Sequence, residues 1–90
     1  MLFVWMGLLK DGAEPDQQVQ EDTTGFLEQP LIAIRAAGAL RDEQGRRAGM
    51  MMIFEADDRS AAEALVGNSP YQRAGLYQEH RLFEYQNEIG

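Results

Sequence analysis

The chain has no cysteine and only one histidine, one tryptophan and three prolines in 90 residues. Without cysteine there is no disulfide framework, no thiolate metal site and no cysteine nucleophile. That composition fits a reducing, cytoplasmic location. With a single histidine, a zinc site would have to be built from clustered carboxylates, and no such cluster stands out; neither metal nor cofactor is expected. Basic residues are also scarce, eight against fifteen acidic ones, for a formal net charge of −7. A nucleic-acid surface must neutralise phosphates, and an anionic membrane has the same requirement, so both are excluded as partners. No apolar run is long enough to span a bilayer, which takes about 20 residues. The apolar stretch Leu2–Leu9 has no basic segment before it and no small-residue cleavage site after it, so it reads as a strand and not as a targeting signal.

What remains is enough for one small domain, residues 1–90. Leu2-Phe3-Val4-Trp5-Met6-Gly7-Leu8-Leu9 is aromatic and apolar and ends at Lys10-Asp11-Gly12, the length and punctuation of a strand. The polar segment from Lys10 to Thr24 reads as a long loop. From Gly25 to Gly38, Phe26, Leu27, Leu31, Ile34 and Ala37 approximate one helical face, with the regular helix starting near Pro30 or kinked there and Gly38 as its C-cap. Ala39–Arg41 and Ala48–Glu55 read as a hairpin whose turn has Gly45 at positive φ. Asp57-Asp58 precedes a helix over Ser60–Val66, and a last strand runs from Leu76 or Tyr77 to about Tyr85.

The resulting order, β-α-β-β-α-β, predicts an α+β, ferredoxin-like antiparallel sheet with both helices on one face. Two strands lack the alternation such a sheet needs if its other face meets water. Leu2, Val4, Met6 and Leu8 would lie on one face and Phe3, Trp5 and Leu9 on the other; Met50, Met52 and Phe54 oppose Met51 and Ile53. Two helices cover one face. The second calls for another cover, and a second copy packed sheet against sheet supplies it.

The most informative segment is Asn68-Ser69-Pro70-Tyr71-Gln72-Arg73-Ala74-Gly75-Leu76-Tyr77. Ser69 reads as a helix cap, Pro70 as a first helical residue and Gly75 as the release into the last strand. Together with Phe54-Glu55-Ala56-Asp57, the alanines 61, 62 and 64, Leu65, and Ala36-Ala37-Gly38-Ala39-Leu40 upstream, this corner resembles the YCII-related family. The resemblance implies a dimeric α/β barrel with a small pocket. It also implies a histidine at the start of the first helix and an aspartate in an Asp-Pro corner. Counting back from Gly38, the histidine's place falls on or near Leu27, and the aspartate's falls on Ser69. Neither residue replaces a proton-transfer pair.

Candidate ligand-binding residues are therefore Tyr71, Trp5, His80, Arg35 and Ser69, with no catalytic residue assigned. Tyr71 can hydrogen-bond a ligand or simply pack its ring. Trp5 and methionines 6, 50, 51 and 52 can line an adaptable cavity or fill the core. His80 is the chain's one histidine and so its one candidate imidazole, though a strand histidine beside a glutamate is the plainer reading. Arg35, placed on the first helix, can hold an anion or stand in solvent. Three functions fit: a homodimeric small-molecule-binding domain; an active lyase or isomerase on a cyclic or aromatic substrate, using Tyr71 and His80; and a structural or accessory subunit.

Overall fold

The computed structural model describes residues 1–28 and 33–90. Its elements are β1 (Leu2–Leu9), α1 (Gln17–Leu27), β2 (Ala33–Arg41), β3 (Arg47–Glu55), α2 (Arg59–Gly67), α3 (Pro70–Arg73) and β4 (Tyr77–Glu84). The strands form one antiparallel sheet in the order β2-β3-β1-β4. The fold is the expected ferredoxin-like α+β arrangement.

Strands β1 and β3 run through the middle and present Phe3, Trp5, Met52 and Phe54 to the helices, all buried. Phe3 stacks on Phe54, its cross-strand partner, with ring centroids 6.1 Å apart. Ala62 and Val66 of α2 close this core from above. The opposite sheet face carries Leu2, Val4, Met6 and Leu8 beside Met51, Ile53 and Phe83. No described helix covers it: Met6 and Leu8 are each 38% exposed and Phe83 is 46% exposed.

The expected helix over Gly25–Gly38 is corrected. The first helix lies earlier, inside the segment read as a loop, and Ala33–Arg41 is a strand. Asp16 starts α1 by accepting the Val19 N–H at 2.8 Å, immediately after Pro15. Side-chain amides reinforce it, Gln17 donating to Glu21 and Gln18 to Asp22. Ile34 to Leu40 hydrogen-bond along β3 as an edge strand. The alanines there favour a helix by a few tenths of a kcal/mol each, which a continuous ladder onto a buried strand outweighs. Gly38 therefore sits mid-strand, not at a helix end, and Arg35 stands on β2, not on a helix. Pro30 and Leu31, at the expected helix start, lie outside the described residues.

The other turns follow their chemistry. Gly45 has φ +81° at the β2–β3 hairpin, and Gly75 has φ +68° where α3 gives way to β4. Asp58 caps α2 by accepting the Ala61 N–H at 2.8 Å.

Three register shifts interrupt the sheet. Arg35 is extra in β2, Ala48 in β3 and Gln78 in β4. Each moves the neighbouring side chain onto the other face relative to strict alternation. The shift at Ala48 puts Arg47 on the helix-covered face with Met50 and Met52, and the shift at Gln78 puts Tyr77 there with Leu9.

Candidate functional site

The site is built around the short helix α3. Ser69 caps it, its hydroxyl accepting the Gln72 N–H at 3.3 Å, and Pro70 occupies the first turn. This corner turns Tyr71 inward, where it is buried. Tyr71 packs against Tyr77 with centroids 5.9 Å apart, and Tyr77 meets Trp5 edge-on at 5.0 Å. Ser69→Ala should cost about 0.5–2 kcal/mol and Ser69→Asp should be nearly neutral, as for any capping residue. Urea titration of both variants checks this, and a loss of structure in Ser69→Asp would count against the cap.

Below α1 these rings enclose a narrow apolar cavity of about 20 Å³, walled by Trp5, Leu27, Met50, Met52, Ser69 and Tyr71 among others. That is room for one water-sized sphere. It adjoins a wider groove of about 510 Å³ between α1, β2 and β3, whose walls include Glu14, Thr23, Thr24, Arg47, Met50 and Tyr71. Leu27, Thr23, Met50 and Tyr71 line both spaces. Arg47 donates from its guanidinium to the Tyr71 hydroxyl at 3.0 Å. The hydroxyl keeps its own proton, which it can donate into the groove. Tyr77 donates to the Met50 sulfur at 3.8 Å. Burial pushes the Tyr77 phenol well above its ordinary range, Tyr71 adds to the effect and Arg47 opposes it. Tyr77 is thus a neutral donor at any physiological pH and not a base.

The structure brings Trp5, Ser69 and Tyr71 to one cavity. His80 and Arg35 are not among the residues lining it. His80 lies beyond Trp5, ring to ring at 6.3 Å, in a separate groove between α2 and β4. Arg35 pairs with Glu55 at 2.7 Å and is 61% exposed. Leu27 ends α1 and does not begin it. Counting back from Gly38 assumed a helix that ended there, so the correspondence of Leu27 to a helix-start position loses its basis. The residue that sequence reading missed is Arg47; only the bulge at Ala48 turns it inward. The missed signal for α1 was Pro15-Asp16 followed by Val19, Thr23, Phe26 and Leu27 at helical spacing.

Among the described residues no three His, Cys, Asp or Glu side chains converge as metal ligands. No described helix is long and apolar enough to cross a membrane.

A family model for the YCII-related domain matches residues 1–86. The chain belongs to the YCII-related domain family. No curated protein matches its sequence. Among solved structures, this YCII-related domain is similar to 5-chloro-2-hydroxyhydroquinone dehydrochlorinase (TftG) from Burkholderia phenoliruptrix AC1100, solved in complex with 2,5-dihydroxybenzoquinone. The TM-score is 0.77 at 19% identity, covering 98% of this chain and 96% of that one. It is also similar to Rv0793 from Mycobacterium tuberculosis, with a TM-score of 0.50 at 12% identity, covering 99% and 97%. At these identities the likeness is one of fold.

Proposed function

We propose that this YCII-related domain binds a small oxygenated ring in the groove between α1, β2 and β3, as a homodimer formed through the uncovered sheet face. The observation that carries the reading is the Arg47–Tyr71 pair where that groove meets the narrow apolar cavity. Small-molecule sites combine apolar walls with a few convergent polar groups in this way. Arg47 supplies a fixed positive charge and Tyr71 a directed O–H, a combination suited to the oxygen of a phenol, quinone or carboxylic acid. The complex of TftG with 2,5-dihydroxybenzoquinone shows that a ring of this class is accommodated in a protein of the same fold.

Binding without turnover is the favoured reading because no histidine lines the groove or the cavity. The chain's only histidine is His80, on β4 and in a different groove. Ser69 is occupied as a cap, and Tyr77 stays protonated. Glu14 lines the outer groove but not the inner cavity.

The test is a thermal-shift screen of small phenols, quinones and aromatic acids, followed by calorimetry on the hits and turnover assays. A hit is expected to stabilise the fold through preferential binding to the native state. Tyr71→Phe and Arg47→Met should each weaken it by roughly 5- to 100-fold, the range for one lost hydrogen bond to a buried or charged partner. Affinity unchanged in both variants would place the ligand elsewhere. Turnover abolished by Tyr71→Phe with binding retained would make the domain an enzyme with Tyr71 as its proton donor.

A further inference from the structure

We propose that the groove between α1, β2 and β3 selects rings that carry one small apolar substituent, a single methyl-sized group, which they seat in the adjoining narrow cavity. The inference rests on the reading of that groove as the ring's site and names the rings it prefers. The groove offers about 510 Å³ and the cavity about 20 Å³. A benzene ring occupies a cavity of about 150 Å³, whereas about 10–15 Å³ already holds one water-sized sphere. The ring therefore stays in the groove, and only one group attached to it can enter. Leu27, Met50 and Tyr71 border both spaces and form the passage between them.

Polarity decides what that group is. Thr23, Ser69, Tyr71 and Tyr77 bring hydroxyls to the cavity wall, and each is engaged within the protein. Thr23 donates to the Val19 carbonyl at 2.8 Å. Ser69 accepts the Gln72 N–H, Tyr77 donates to the Met50 sulfur, and Tyr71 accepts from Arg47 on the groove side. The Trp5 indole nitrogen is buried out of reach. A buried water makes about three hydrogen bonds, and here it would meet groups already committed. A ligand hydroxyl would lose its hydration for the same poor return. A methyl group has no hydration to lose and gains by leaving water.

The walls also set a ceiling on size. Val66 of α2 and Met52 of β3 line the cavity and not the groove, so they close the end away from the passage. Both are buried. A second carbon on the substituent would have to displace them, and close-packed interiors resist an added methylene.

Titration of phenol and of 2-, 3- and 4-methylphenol, followed in ¹H–¹⁵N spectra of the protein, tests the proposal. One methylphenol isomer should bind at least about fourfold tighter than phenol, the worth of one buried carbon. It should also move the Trp5 indole signal more than phenol does, because Trp5 lines the cavity and not the groove. The ethyl homologue of that isomer, and the benzenediol with a hydroxyl in the same place, should bind no tighter than phenol. Val66→Ile fills the cavity and should erase the methyl advantage. Val66→Ala enlarges it and should pass the advantage on to the ethyl homologue, which keeps the test open if the isoleucine variant does not fold. Arg47→Met should weaken phenol and methylphenol alike and leave their ratio unchanged. Affinity that climbs steadily from methyl to ethyl to propyl, or a benzenediol as tight as the methylphenol, would overturn the inference alone, with the groove reading intact as long as Arg47→Met still weakens every ring. Rings that ignore Arg47→Met, or no ring binding at all, would overturn the groove reading and the inference with it.

Discussion

Met51→Glu should convert a dimer into a monomer without unfolding it. Met51 sits on β3 opposite Met6 of β1 and Gly38 of β2, on the face that no described helix covers. Leu2, Val4, Leu8, Ile53 and Phe83 surround it on that face. Exposed apolar surface of this kind, bordered here by Arg81 and Glu79 of β4, is typical of association sites, and a two-fold contact would bury each substitution twice. A carboxylate taken out of water with no partner costs several kcal/mol. In the monomer the same carboxylate stays hydrated, because Met51 is only half-buried there. Light scattering should therefore fall from the mass of two chains to that of one, with the circular dichroism spectrum unchanged. Wild-type protein that is monomeric and stable at micromolar concentration would refute the homodimer.

Phe54→Ala should take away a large part of the folding free energy. Phe54 is fully buried, stacks on Phe3 and has Ile34 as its neighbour across β2. Deleting a buried phenylalanine ring costs about 3–5 kcal/mol, because the cavity it leaves collapses only partly. A 90-residue domain has roughly 5–13 kcal/mol in total. The urea midpoint should drop by about a quarter or more with little change in slope. A loss below about 1 kcal/mol would show that the core is not centred on the β1–β3 pair.

The strands at the centre of the sheet were legible because their signal is strong: Leu2–Leu9 and Met50–Phe54 are apolar on both faces, and nothing but a buried strand suits them. The capped corner at Ser69 was legible because serine before proline has one dominant use. The first helix was not. Its amphipathic face is thin, with no fully buried residue, and its cap lay in a stretch whose polarity suggested a loop. The alanines of β2 pointed the wrong way because intrinsic preference is a weak force beside a backbone ladder. The candidate site was half legible. Tyr71, Trp5 and Ser69 follow from the corner and from β1, but Arg47 depends on a bulge, and a one-residue slip in register leaves no trace in the pattern of a single sequence.

The position of β1 has a consequence for how the molecule reaches its native state. It pairs with β3 on one side and β4 on the other, so its neighbours in space are distant along the chain. Helices α1 and α2 can flicker into existence on local contacts alone, but neither has a surface to rest on until these distant strands have met. Apart from the local β2–β3 hairpin, long loops must close before the sheet forms, which places folding in the slower, millisecond-to-second range of small domains. Throughout that interval β1 and the open edge of β3 stand unpaired, each able to join a copy of itself on a neighbouring chain. The route to the fold is therefore more crowded with wrong partners than the fold itself, and dilution favours the right ones.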